Sequence, residues 1–328
     1  MRGQRIAVLG GLGLIGSTLA RKLSDAGADV VVVDSAAAGS GANNANLRGY
    51  EHKLEIVRGD VRDTTLLNKH LMGCTAVFNL AAESSHLGSM DAPLLDLDVN
   101  AGGSLAVLDA CRKVSPDAAV VFASTRQVYG RPTYLPVDEN HPVRPVDVNG
   151  VSKHAAEQFH QLYHNIYGQR TTVLRLTNVF GPGMRIADAR QTFLGEWLRR
   201  ALLDEHFEVW GGAQLRDLTF VDDAAEALAL AAQTEKTHGG VFNVGGCAPV
   251  SLADLAEQLM KISKRGGFSV KPFPASRARI DIGDYYSADA AFRRLTGWEP
   301  RTPLPEGLRR SLDYFEQHLS DYIGGSAA

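Results

Sequence analysis

Four glycines and one carboxylate carry the first piece of chemistry in this chain. Residues 5–16 read Arg-Ile-Ala-Val-Leu-Gly-Gly-Leu-Gly-Leu-Ile-Gly. Glycines 11, 13 and 16 satisfy G-x-G-x-x-G, and Gly10, Gly13 and Gly16 satisfy G-x-x-G-x-x-G. The first glycines allow a tight turn and the close approach of a pyrophosphate. The last lets a helix pack on the preceding strand, with the helix start at Leu14 and Ile15 facing the phosphates. Asp34 closes the next apolar run, Val30–Val33. A carboxylate at that distance accepts both ribose hydroxyls of NAD and repels a 2′-phosphate.

Polar groups also close the later apolar runs. Asp60, in Arg58-Gly59-Asp60-Val61, either accepts from an adenine amino group or closes a turn, whereas Asp63 suits the N-cap of a following helix. The fourth run ends in Leu80-Ala81-Ala82, small enough for a ribose to pass close to backbone. A fifth ends in Ser124-Thr125 and then Arg126-Gln127-Val128-Tyr129-Gly130. Hydroxyls there either face a ligand crevice or cap an ordinary turn.

The elements that must position these groups alternate. Strands are expected at Ile6–Leu9, Val30–Asp34, Leu54–Val57, Ala76–Leu80, Ala118–Ala123 and Thr171–Leu176, and helices over 14–26, 63–72, 96–114 and 150–167. Strands apolar throughout imply burial on both faces, hence a parallel sheet between helical layers. The expected class is therefore α/β, a doubly wound parallel sheet of Rossmann type with a smaller interleaved C-terminal substrate lobe. Residues 1–177 and 217–245 form the expected NAD-binding domain and 178–216 with 246–320 the lobe, leaving 321–328 as a flexible tail.

Composition excludes several other roles. Basic and acidic residues nearly balance, at 34 and 37, and are interspersed, which argues against a nucleic-acid or polybasic membrane surface. Cys74, Cys111 and Cys247 are odd in number and far apart, so neither a disulfide framework nor a metal site is suggested, and a cytoplasmic location is expected. No apolar run is long enough to span a membrane, and the first strand leaves no room for a signal peptide.

Further along lie Asn149…Ser152-Lys153, Arg175…Asn178…Gly181-Pro182, Arg216-Asp217…Val221-Asp222-Asp223 and Gly297-Trp298-Glu299-Pro300. With the glycine loop, Asp34, Gly59-Asp60-Val61, Leu80-Ala81-Ala82 and Ser124-Thr125…Val128-Tyr129-Gly130, they resemble the extended short-chain dehydrogenase/reductase family, the nucleotide-sugar epimerases and dehydratases, over about residues 5–315. The resemblance implies a tightly held NAD that takes a hydride from a sugar carbon, usually C4, followed by re-reduction on the other face, elimination or decarboxylation. It implies a Tyr as base, a Lys four residues later whose charge lowers the Tyr pKa, and a Ser/Thr hydroxyl. Lys153 matches the Lys, and Thr125 matches the hydroxyl with Ser124 beside it.

Asn149 stands where the Tyr belongs, and an amide cannot be a base at neutral pH. Three readings stay open: proton transfer by Lys153, Thr125 or His86; a water relay held by Asn149; or binding without efficient turnover. His86 has the right pKa range, with a surface-loop histidine as the competing reading. Arg126 and Gln127 replace the acidic pair of the family's dehydratases, which disfavours elimination. Arg126 either clamps a carboxylate or hydroxyl pair or is merely solvated.

For the nucleotide-diphosphate sugar the resemblance implies Asn178, Arg190, Arg216 and Arg279, with His86 and Arg126 at the sugar end. An Arg216 salt bridge to Asp217 or Asp222 is the alternative, and Trp298 is read as core. Expected function is NAD-dependent epimerisation; a 4-ketosugar reductase, a sugar-acid decarboxylase or a binding homologue are the rivals. A homodimer is implied through helices 96–114 and 150–167, whose stripes (Leu97, Val107, Leu108; Val151, Phe159, Leu162, Ile166) otherwise only cover the sheet.

Overall fold

The computed structural model of the chain describes residues 1–188, 192–246, 248–274 and 281–323. It opens with β1 (Arg5–Leu9), α1 (Leu14–Asp25), β2 (Asp29–Asp34), β3 (Leu54–Arg58), α2 (Thr64–Leu71) and β4 (Ala76–Asn79). Two short helices, α3 (His86–Asp91) and α4 (Pro93–Leu97), lead through a π-turn at Asp98–Gly102 into α5 (Gly103–Val114). β5 (Ala119–Thr125), α6 (Val148–Tyr167), β6 (Arg170–Leu176) and β7 (Asn178–Phe180) follow. The rest comprises α7 (Phe193–Leu202), β8 (His206–Trp210), β9 (Leu215–Arg216), β10 (Leu218–Phe220), α8 (Val221–Gln233), β11 (Val241–Val244) and β12 (Val250–Ser251). α9 (Leu252–Ser263), β13 (Gly267–Lys271), α10 (Ala290–Thr296) and α11 (Leu304–Ile323) end it.

Seven parallel strands form one sheet in the order β11-β6-β5-β4-β1-β2-β3. Val30 to Val33 are fully buried, Val30 and Val32 against one helical layer and Val31 and Val33 against the other. Burial on both faces explains why this run is apolar without alternation. Strand order reverses between β1 and β4, and ligands of such sheets bind in the crevice outside the strand ends at that reversal. A separate core joins Phe180, Leu198, Phe220, Leu255, Leu308 and Phe315 from the later elements.

The expected strands and helices stand within a few residues of their predicted bounds. Three differences matter. The helix expected from residue 96 begins at Pro93 and carries the π-turn, a distortion often found at functional sites. The segment 35–53 holds a 3₁₀ turn at Asn44–Leu47, capped by Asn43. The expected tail from 321 begins inside α11, where Tyr322 is buried and its hydroxyl donates to Asn46 while Asp321 pairs with Arg48. Residues 324–328 lie outside the described set.

Candidate active site

The glycine turn is fixed by contacts that no side chain could share. Gly10 takes φ +77°, and a Cβ there would lie 2.8 Å from backbone of Leu80 and Ala81. A Cβ on Gly16 would come within 2.2 Å of the Gly10 carbonyl oxygen, so α1 can lie this close to β1 only with glycine. The N-cap of α1 is Gly13, and no side chain caps the helix. Its first N–H groups therefore keep their affinity for an anion. Asp34 is held by two backbone donors, Leu12 N at 2.9 Å and Ala36 N at 2.8 Å. A carboxylate has about four acceptor positions, so two remain for a ribose diol. Cradle, uncapped helix end and carboxylate together fit a dinucleotide without a 2′-phosphate.

From this end one continuous pocket runs past Asp60, Val61 and Leu80-Ala81-Ala82 to His86, Ser124, Thr125, Asn149, Lys153 and Asn178. Asp60 lines it, yet its carboxylate is gripped by the Arg62 guanidinium, which holds the acid below its usual range against the cost of burial. Asp63 caps α2 as expected, accepting from Thr65 N and Leu66 N.

One face of α6 builds the far end. Asp147 caps the helix, accepting from Gly150 N at 2.7 Å. Asn149, Lys153 and Glu157 follow at four-residue steps, so their side chains stack along one buried stripe. Lys153 Nζ donates to the Ala123 carbonyl at 3.0 Å and sits 4.7 Å from the Phe122 ring centre. Burial pushes its ammonium down to about 8, with Asp96 and Glu157 pulling the other way. Asn149 spends both amide hydrogens, on the Glu83 carbonyl at 2.7 Å and Asp96 Oδ2 at 3.1 Å. Only its carbonyl oxygen is left to meet a ligand, and that atom accepts a hydrogen bond but no proton.

Ser124 departs from expectation. Its hydroxyl donates to Glu157 Oε1 at 2.5 Å, and the same carboxylate takes Arg175 at 2.9 and 2.6 Å. Ser124 is thus committed to a buried ion pair, leaving Thr125 as the free-standing hydroxyl of the pair. Thr125 accepts only a long contact of 3.3 Å from Gln127 N.

Arg126 is buried, not solvated. It donates to Asn178 Oδ1 at 3.1 Å and lies 5.2 Å from the Tyr285 ring, outside the pocket lining. Asn178 Nδ2 is left buried without a partner, a donor suited to a phosphate oxygen at the pocket edge. Arg216 does not line this pocket either. It donates to backbone carbonyls of Leu215 and Gly283, faces Asp281 at 3.7 Å, and is pushed down to about 10 by burial and by Arg126. Asp222 pairs instead with Arg310. Trp298 is core, its indole N–H donating to the Asp223 carbonyl. Arg190 and Arg279 lie outside the described residues.

Sequence reasoning singled out Gln127 as standing where an acid is expected, and missed Asp147 and Asp96 as site neighbours. Asp147 carried a signal, an acidic residue just before a helix, while Asp96 carried none.

A Rossmann-type sheet, a glycine cradle and a buried lysine one turn past the site's amide define a dinucleotide-dependent α/β enzyme. Residues 6–245 match the model of the NAD dependent epimerase/dehydratase family, and the chain belongs to that family. It is 29% identical to the UDP-glucose 4-epimerase of Azospirillum brasilense over 99% of this chain and 95% of that one. The crystal structure of UDP-glucose 4-epimerase with UDP-glucose from Thermotoga maritima superposes with a TM-score of 0.88, at 27% identity over 96% of this chain and 100% of the other. UDP-N-acetylglucosamine 4-epimerase from Methanobrevibacter ruminantium, in complex with UDP-N-acetylmuramic acid, gives 0.89 at 26% identity over 97% of this chain and 100% of the other.

Proposed function

We propose that this chain is an NAD-dependent nucleotide-sugar epimerase that inverts a sugar hydroxyl at C4 through a 4-keto intermediate. The observation that carries the reading is the single pocket joining the Gly10–Gly16 cradle and Asp34 to Thr125, Asn149 and Lys153. The relatives' shared 4-epimerase naming supports C4. Bound NAD supplies a reversible hydride acceptor. Asp34 selects it through the ribose, and α1 holds its phosphates. Lys153 holds the second ribose and brings positive charge to the oxygen that loses a proton. Thr125 and the Asn149 carbonyl orient that hydroxyl. The lobe built from 178–216 and 246–320 holds the nucleotide diphosphate, with Asn178 at the pocket edge. Elimination is disfavoured: Gln127 is turned onto Asp147 and Arg126 onto Asn178, so neither offers an acid to a leaving hydroxyl.

Purified protein incubated with UDP-, GDP-, CDP- and dTDP-sugars, followed by NMR of the products, tests this. C4 isomers forming without added NADH are expected. Stoichiometric consumption of NADH by a ketosugar would make the protein a reductase instead.

We also infer a homodimer. Val107 and Leu108 turn into the sheet core, so that part of the α5 stripe is used up. Leu94 and Leu97 on α4 and Val151, Leu162 and Ile166 on α6 are exposed, Ile166 by 65%. Exposed apolar residues on two helices that pack side by side commonly mark an association face. Leu162→Glu with Ile166→Glu is expected to halve the mass measured by light scattering; a wild-type protein already monomeric at assay concentration overturns the pairing. Cys74 and Cys111 are buried free thiols, in keeping with the cytoplasm as the place of action. No helix among the described residues is long and apolar enough to cross a membrane.

A further inference from the structure

The pocket has a lysine, a hydroxyl and an amide at its reacting end; the hydroxyl and the amide are no bases at neutral pH, and the lysine serves as a cation beside the reacting oxygen. Asn149 has no proton-accepting site of the needed basicity. The tyrosine nearest in sequence to the hydroxyl pair, Tyr129, is sealed in the core and donates to Asn243 Oδ1 at 2.7 Å. Lys153 Nζ is tied to a carbonyl, and the Thr125 hydroxyl is a turn cap.

His86 lines the same pocket. Its Nδ1 lies 3.1 Å from Asp147 Oδ2, a carboxylate whose side chain is 1% exposed. Gln127 Nε2 donates to that same oxygen at 3.2 Å and so holds the carboxylate from the other side. Asp147 also caps α6, the helix carrying Asn149 and Lys153, which ties the position of His86 to theirs. Burial opposes the Asp147 charge, but His86, the Gly150 N–H and Gln127 keep its carboxyl below the usual range. Gln127 Nε2 also lies 3.4 Å from Nδ1, but the Asp147 anion is nearer, at 3.1 Å, and it favours the proton on Nδ1 and the lone pair on Nε2. Nε2 has no hydrogen-bond partner among the described residues.

We propose that His86 is the proton-transfer residue of this active site, with Asp147 as its positioning residue, taking the part left open by Asn149. This rests on the epimerase reading. In the forward half the sugar O4–H bond breaks and its proton goes to His86 Nε2. The C4–H bond would break with its electron pair leaving as hydride, for which a bound NAD would be the acceptor, and C4 would become a ketone. In the return half the ketone receives the hydride on its opposite face and the proton from the imidazolium. Nothing is consumed overall. Neutral imidazole is the competent form. The charged group in contact with the ring is Asp147, at the N-cap of α6, and Glu83 from the preceding loop and Lys153 from α6 line the same pocket.

The test uses NAD-loaded protein, UDP-glucose as first substrate and three variants. His86→Gln is expected to lose about 10²–10⁴ in kcat and the acidic limb of the pH profile. His86→Ala is expected to regain turnover with added imidazole. Asp147→Asn keeps the helix cap, since Asn caps as well as Asp. It is expected to move the His86 ring titration, followed by NMR without substrate, to lower pH. A His86→Gln enzyme with kcat and acidic limb unchanged, beside an active wild type, overturns the assignment alone. An unmoved ring titration in Asp147→Asn does the same for the dyad. A wild type that isomerises no sugar in the panel overturns the epimerase reading with it.

Discussion

Replacing Lys153 with methionine is expected to lower turnover by about 10³-fold, comparable with the loss of a preorganised charge donor at a developing oxyanion. The side chain lines the same pocket as the Thr125 hydroxyl and the Asn149 amide. Methionine keeps the length and apolar stem but cannot donate to the Ala123 carbonyl or bring a charge. The pH dependence follows from the burial that pushes this ammonium down to about 8. Lys153 is charged below that value and neutral above it. If the charge is what matters, kcat/KM falls as pH rises through about 8, because that ratio reports groups of the free enzyme. The methionine variant should lack this alkaline limb. A loss below tenfold, or an alkaline limb that survives the substitution, would place the charge elsewhere.

Glu157→Gln is expected to cost about 3–5 kcal/mol of folding stability, the range for breaking a buried ion pair from one side. Glu157 is fully buried and joins Arg175, Ser124 and His154. Burial works against its charge, but the Arg175 guanidinium and the other donors hold the carboxyl below its usual range. The sign follows: the depressed pKa adds stability above the ordinary carboxylate pKa near 4.5, and that stability drains away as pH falls below it. Removing the carboxylate also strands the Arg175 charge beneath the sheet. Changing both partners, with Arg175→Met alongside, should recover most of the loss, since the cost lies in the unpaired ion. Urea unfolding of the two variants measures this; equal losses in both would mean that packing around Glu157, not charge, sets the cost. Ser124 is expected to lose its only acid partner in the single variant.

The contrast between Ser124 and Lys153 shows how far the primary structure could be read. The Gly10–Gly16 turn, Asp34 and the Val30–Val33 strand declare themselves because local backbone geometry and two-faced burial dictate residue type there. Lys153 is legible through the family resemblance, which implies a lysine at that place in the helix. Ser124 and Thr125 are neighbours with the same functional group, and a strand sends them to opposite faces. Only the position of Glu157, 33 residues away in sequence, decides which hydroxyl is committed. Arg126 was likewise ambiguous until β7 and Tyr285 closed over it. The His86–Asp147 contact joins the first residue of α3 to the cap of α6 across 61 positions, and nothing local to either residue announces it. The final helix, left unassigned from the sequence, pins the 35–53 segment through Tyr322 and Asp321 by contacts of the same long-range kind.

The stripe along α6 also shows what Asn149 does in the wall of the site. Its two amide hydrogens bridge the Glu83 carbonyl and Asp96, closing the wall at the start of the helix. Asn100 Nδ2, from the π-turn, donates to that same Glu83 carbonyl at 3.0 Å. The π-turn, the loop before α3 and the start of α6 thus meet on one backbone oxygen, and His86 leaves from the loop so fixed. Burial beside Asp96 raises the Glu83 acid.

The most direct measurement of the central claim follows one hydrogen atom. UDP-glucose carrying deuterium at C4 is incubated with the purified protein in ordinary water, with no added NADH, and the products are read by NMR and mass spectrometry. Inversion with the deuterium retained at C4 is the result expected of a hydride lifted from the sugar and returned to the same carbon. Inverted product carrying solvent hydrogen at C4 would contradict it, as would product that forms only when NADH is supplied and consumed.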